Sequence, residues 1–206
     1  MKFDLTFQPR FNCAICSTRC DGRSKSAFIF TDDVALSVQA EDWILQHFQE
    51  VLGLSVYKAA GEIHGLPDLE IIRGQKIIAR VEVKAQSRAF MSIERLLPKS
   101  NLHPYEAVAL NLSDLKRYIT LYQREDIPLF LVWRVQRPCL GEGYWGHSVT
   151  RLQEIYQHYQ GDRRYRRRST LSDYVDGQHC GVTVNYHFSL RELLPLSAVE
   201  HCLQQL

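Results

Sequence analysis

Gly65-Leu66-Pro67-Asp68-Leu69-Glu70-Ile71-Ile72-Arg73-Gly74-Gln75-Lys76-Ile77-Ile78-Ala79-Arg80-Val81-Glu82-Val83-Lys84-Ala85 is the stretch on which the fold turns. Asp68–Ile72 and Lys76–Ala85 read as two strands joined by the turn Arg73-Gly74-Gln75. In the second, Ile77, Ala79, Val81 and Val83 alternate with Ile78, Arg80, Glu82 and Lys84. Side chains two apart in a strand share a face, so Glu82 and Lys84 point one way together. If Asp68 opens the partner strand, its carboxylate comes close to that of Glu82. Two neighbouring carboxylates repel unless a cation lies between them. Mg²⁺ suits such a pair, because it takes oxygen ligands and needs only one or two carboxylates. A lysine beside the ion can hold a water for attack on a phosphodiester and meet the developing charge. The alternative is an ordinary solvated Glu–Lys pair on an exposed strand.

Upstream, Trp43, Ile44, Leu45, Phe48, Val51 and Leu52 recur with helical period between Ala40 and Leu52, and Gly53 supplies the stop. At 100° per residue, Glu41 falls within about 40° of the centre of that apolar stripe. A carboxylate there is costly unless it is paired, metal-bound or still solvated near the helix start. Ala27–Phe30 is expected as a short strand, Thr31-Asp32-Asp33 as a turn and Ser55–Lys58 as a strand. Downstream, a helix is expected over Ser113–Arg124, capped by Ser113, with Leu115, Ile119 and Tyr122 inward. Pro128–Val135 reads as a strand buried on both faces. Arg151–Tyr159 suggests a helix, Gly181–Phe188 a strand and Leu190–Leu194 the start of a last helix. This order predicts an α/β or α+β fold, a mixed central sheet flanked by helices.

Glu41 on a helix, then Pro67-Asp68, then Glu82-Val83-Lys84 on a strand resembles the PD-(D/E)XK nuclease superfamily, most closely its restriction-endonuclease-like and Holliday-junction-resolvase-like members. The resemblance spans residues 36–135. It implies a metal-dependent DNA endonuclease with Mg²⁺ or Mn²⁺ as cofactor. Asp68, Glu82, the Val83 backbone carbonyl and Glu41 would serve the metal, and Lys84 would be the catalytic lysine. Gln86 follows on the same strand face and is a candidate substrate contact. The rival is a non-catalytic nucleic-acid-binding protein that keeps the fold.

The chain has 206 residues, 45% hydrophobic and 23% charged, with a net charge of +2, which suits one folded domain. Three parts are expected: an N-terminal extension (1–26), the nuclease core (27–138) and a C-terminal part of the same domain (139–206). No apolar run is long enough to span a membrane. The opening Met1-Lys2-Phe3-Asp4 lacks a signal-peptide pattern. An intracellular protein, cytoplasmic in a prokaryotic host, is therefore expected. The positive charge gathers in Arg163-Arg164-Tyr165-Arg166-Arg167-Arg168, where guanidiniums can meet DNA phosphates and the ring can stack on a base. Cys13, Cys16 and Cys20 could give three thiolates to Zn²⁺, although a fourth ligand is missing nearby. A homodimer is plausible on the ground that cutting both strands takes two centres.

Overall fold

The computed structural model describes residues 20, 30–59, 65–167, 174–175, 178–179 and 184–206. The first element is helix α1 (Phe30–Glu50), followed by strands β1 (Ser55–Lys58), β2 (Leu69–Arg73) and β3 (Lys76–Gln86). A short helix α2 (Ile93–Leu96), strand β4 (Ala107–Asn111) and helix α3 (Leu112–Glu125) lead to β5 (Leu129–Arg137), β6 (Gly141–Ser148) and helix α4 (Val149–Tyr159). The tail contributes β7 (Arg164–Arg166), β8 (Tyr174–Val175), β9 (Gln178–His179), β10 (Val184–Ser189), β11 (Leu194–Pro195) and helix α5 (Leu196–Gln204). A mixed six-stranded sheet runs β1-β2-β3-β5-β6-β11, and a second sheet runs β4-β10-β7. β2 and β3 form the expected antiparallel hairpin, with Leu69 opposite Val81 and Arg73 opposite Lys76. β3 and β5 are parallel, and the chain between them passes through β4 and α3.

β5 is buried on both faces, and its alternation divides the interior in two. Phe130 and Val132 join Ala40, Ile44 and Phe48 of α1, Val81 and Val83 of β3, and Val199 and Leu203 of α5. Leu131, Trp133 and Val135 join Leu115, Tyr118 and Leu121 of α3, Leu152 and Ile155 of α4, and Tyr186 and Phe188 of β10. The second sheet is fastened to the first by Trp133, whose indole N–H donates to the Ala109 carbonyl at 3.1 Å. Buried Arg137 adds to this by donating to the carbonyls of Tyr105 at 2.7 Å and Ala107 at 2.6 Å.

Several local expectations need correction. Phe30 and Thr31-Asp32-Asp33 belong to α1, not to a strand and a turn, because threonine and aspartate begin a helix as readily as they make a turn. α3 starts one residue earlier than expected, with Asn111 in the cap position, and buries Leu112, Leu115, Tyr118 and Leu121. Ile119 and Tyr122 only flank that row. Leu190–Glu192 is a single 3₁₀ turn closed by a capping box between Ser189 and Glu192; the last helix follows β11. β6 was not expected at all, since Gly141, Gly143 and Gly146 lower strand propensity. Gly146 is required there, because a Cβ would come within 2.4 Å of the Leu131 carbonyl oxygen on β5.

The second sheet carries a buried imidazole with a measurable consequence. His187 on β10 is 3% exposed, stacks on Phe90 at 5.0 Å and lies 3.3 Å from the Arg163 carbonyl. Burial pushes its pKa down from 6.5 to about 4. A depressed histidine pKa gives stability that is complete above pH 6.5 and is lost as pH falls through 4. Acidification over that window should cost about 3 kcal/mol from this residue. Half-buried His147, its pKa likewise pushed down to about 4, adds to the same window. In urea unfolding at a series of pH values, His187→Leu should therefore remove its own share of the loss and leave that of His147.

Candidate active site

Asp68 ends the loop before β2, and the hairpin register sets it across from Glu82. Its Oδ2 accepts a hydrogen bond from the Val83 N–H at 2.8 Å. The N–H and C=O of one strand residue point to the same side, so the Val83 carbonyl also faces the Asp68 side. There it lies beyond the last rung of the β2–β3 ladder, Leu69–Val81. Glu82 and Lys84 share the other strand face, and the ammonium of Lys84 contacts Glu82 Oε1. Glu82 is 2% exposed, whereas the Lys84 side chain is 34% exposed. Glu82 Oε2 is buried with no hydrogen-bond partner.

Electrostatics follow from this burial. Desolvation raises the Glu82 pKa above 4.5, against the pull of Lys84, and Asp68 adds to the rise. Desolvation likewise raises Asp68 above 3.8, opposed by Lys84 and the Val83 N–H. For Lys84, burial works to lower the pKa, but Glu82 and Asp68 outweigh it and hold the ammonium above its ordinary value. Half-buried Glu41 reaches the same field from α1. Its pKa is raised by burial and by Glu82, with Lys58 and Lys84 opposing.

The structure thus brings Asp68, Glu82 and Lys84 together, with Glu41 close enough to be coupled to them. Among the described residues no three His, Cys, Asp or Glu side chains cluster tightly enough to hold a metal, so Glu41 does not join Asp68 and Glu82 as a third close ligand. The two carboxylates and the Val83 carbonyl are hard oxygen donors, the type Mg²⁺ and Mn²⁺ prefer. A partnerless buried carboxylate oxygen beside a second desolvated acid is what a divalent cation would satisfy. The residues fit the ion.

A contribution not foreseen from the sequence comes from α3. The Tyr118 hydroxyl approaches the Glu82 carboxylate, and burial together with Glu82's charge drives its pKa upward. Arg117 donates to the same hydroxyl at 3.2 Å and pairs with Asp114 at 3.0 Å. The i, i+3, i+4 spacing of Asp114, Arg117 and Tyr118 was visible in the sequence, but nothing local tied it to the hairpin.

Other expected site residues lie elsewhere or do other work. Gln86 bridges backbone groups: its Oε1 accepts from Ala109 N at 2.8 Å and its Nε2 donates to the Arg88 carbonyl at 3.0 Å. This amide ties the end of β3 to β4, which corrects the expectation of a substrate contact. Arg163 is 1% exposed, pairs with Glu192 at 2.6 Å, donates to the Ser100 carbonyl at 3.1 Å and stacks 3.4 Å above the Tyr159 ring. It is a core residue and cannot reach DNA. Tyr165 packs on Phe90 at 4.8 Å, so its ring faces the protein instead of a base. Arg164 and Arg166 stand exposed on β7, and Arg167 is half-buried. Arg168 lies outside the described residues, as do Cys13 and Cys16; Cys20 is half-exposed.

No protein-family model and no curated protein matches the chain. Among solved structures, a nuclease from a fusselovirus matches with a TM-score of 0.51 and 9% identity, over 86% of this chain and 94% of that one. A Holliday junction resolvase, Hjc of Archaeoglobus fulgidus, matches with a TM-score of 0.44 and 12% identity, over 80% and 95%. No helix of the described residues is long and apolar enough to cross a membrane. With its mixed sheet, flanking helices and acid-bearing hairpin, the chain has a restriction-endonuclease-like α/β fold, shared with the fusselovirus nuclease.

Proposed function

We propose that this chain is a divalent-cation-dependent DNA endonuclease that hydrolyses phosphodiester bonds at Asp68, Glu82 and Lys84. The observation that carries the reading is the buried Glu82 oxygen without a partner, set beside Asp68 and Lys84. Asp68, Glu82 and the Val83 carbonyl would hold Mg²⁺ or Mn²⁺. The ion, when bound, supplies an acidified water and charge neutralisation at the phosphate. Lys84, kept protonated by its two acidic neighbours, holds the attacking water and meets negative charge as it develops on the phosphate oxygens. Glu41 acts at one remove, through the field at Lys84. A single centre cuts one strand at a time, so paired cuts would take two copies of the chain. Cleavage of linear, branched and single-stranded DNA with Mg²⁺ or Mn²⁺, against an EDTA control, tests the reading. Absence of cutting on every substrate would reject it.

Metal binding should also register as stability. An acid whose folded pKa is raised gives stability that is present below its ordinary value and is lost as pH rises through the raised one. Asp68 and Glu82, raised above 3.8 and 4.5, therefore burden the metal-free fold at neutral pH. Mg²⁺ at about a hundredfold excess over its Kd should add about 2.7 kcal/mol. For a chain of this size that is a gain of about 5–10 °C in Tm. Glu82→Gln should melt higher than wild type without metal and gain nothing from Mg²⁺.

The exposed pair on β7 is the remaining basic surface of the tract. Arg164→Glu with Arg166→Glu should weaken DNA binding and lower the slope of log K against log salt by about two. An unchanged slope would take β7 out of the DNA interface.

A further inference from the structure

Asp114, Arg117 and Tyr118 form one face of α3, and that face looks onto the acid–lysine centre. Tyr118 meets Glu82, Asp114 lies in the field of Lys84, and Arg117 lies in that of Glu82. The Arg117 side chain is 43% exposed, yet it is held from three directions. Asp114 Oδ1 takes one guanidinium nitrogen at 3.0 Å, and the Tyr118 hydroxyl accepts from the other at 3.2 Å with the ring beneath at 5.0 Å. The stem lies over Gly65, at φ +107°, where a Cβ would come within 3.1 Å of Arg117 Cδ. Gly65 therefore lets the loop that ends in Asp68 pass directly under this side chain. An exposed arginine ordinarily keeps its rotamer freedom, so this one is pre-set.

We infer that Arg117 is a substrate-contacting residue that receives a backbone phosphate of the DNA next to the bond being cleaved, with Asp114 and Tyr118 as its positioning residues. This rests on the nuclease reading above. A second cation has work to do here. The ion and Lys84 would answer the charge at the cleaved phosphate, while Glu41 and Asp114 at the margin of the centre would repel the phosphate next to it. A guanidinium has five N–H donors in a planar fork. The bonds to Asp114 and Tyr118 leave the others for phosphate oxygens, which that fork fits two at a time.

The test combines Arg117→Ala and Arg117→Lys with DNA in which single phosphates around the cut are replaced by neutral methylphosphonates. Arg117→Ala should lower kcat/KM about tenfold to hundredfold, and Arg117→Lys should restore only part of it. One methylphosphonate position should slow the wild type by a similar factor and leave Arg117→Ala nearly unaffected, the signature of a shared interaction. A purely structural arginine would show additive losses at every phosphate, which would overturn the inference. Arg117→Ala cutting within about twofold of wild type would also overturn it. If Arg117→Ala does not fold, Arg117→Met, which keeps the stem over Gly65, carries the same scan. A wild type that cleaves no DNA removes the nuclease reading and this inference with it, whereas loss of coupling in an active enzyme removes this inference alone.

Discussion

Lys84→Ala should lower DNA cleavage about a hundredfold to ten-thousandfold while leaving DNA affinity in Mg²⁺ close to wild type. The asymmetry follows from where the lysine sits. Its ammonium is bonded to Glu82 and coupled to Asp68, inside the centre instead of on the surrounding surface. Phosphates distant from the cut never meet it, so most of the binding free energy does not depend on it. Removal of the ammonium takes away the cation at Glu82 Oε1 and leaves the carboxylate with the weaker help of the Tyr118 hydroxyl. The mutant carboxylate should then be harder to ionise in the absence of metal, and the pH optimum of residual cleavage should move upward. Single-turnover cleavage and fluorescence anisotropy on the same oligonucleotide separate the two quantities. Equal losses in binding and cleavage would instead make Lys84 an ordinary phosphate contact.

Arg163→Ala should lower stability by about 3–5 kcal/mol, because it dismantles a buried ion pair together with its packing. In a chain of about 200 residues this means a Tm lower by about 10 °C. The guanidinium links three distant parts of the chain: the Ser100 carbonyl, the Glu192 carboxylate and the Tyr159 ring. Glu192 in turn caps the 3₁₀ turn at Ser189, so the loss should spread to the end of β10. The protein that remains folded should bind DNA with unchanged salt dependence, since Arg163 is almost wholly buried. Thermal melts beside salt-titrated binding decide the matter. A stable Arg163→Ala protein with weakened DNA binding would return Arg163 to the interface.

That contrast marks how far the sequence could be read. The β2–β3 hairpin and the convergence of Asp68, Glu82 and Lys84 were legible because both depend on strand alternation and one short turn. β5 was legible as a continuous apolar run, and it is buried by two separate clusters. Glu41 was singled out by its place in the apolar stripe, and the structure sets it half-buried within the same field. The Arg tract misled because charge alone does not say which of six neighbouring side chains turns inward. On β7, Arg164 and Arg166 point out while Tyr165 points in, and Arg163 finds partners 63 and 29 residues away. Long-range partners also explain Gln86, whose amide meets a strand 23 residues on. Tyr118 was hidden for the same reason: its part at Glu82 exists only once α3 packs onto the sheet, in the core it shares with β5 and β10.

The most direct test of the metal-dependent centre sets wild type beside Glu82→Gln on one panel of labelled duplex, branched and single-stranded DNA, with Mg²⁺, with Mn²⁺ and with EDTA. Glu82→Gln keeps the shape of the side chain and removes the charge that would face the ion. Wild type should cleave only when a divalent cation is present, and Glu82→Gln should cleave no substrate that it still binds. Cutting by Glu82→Gln at the wild-type rate, or cutting by wild type in EDTA, would rule out a metal-dependent centre at Glu82.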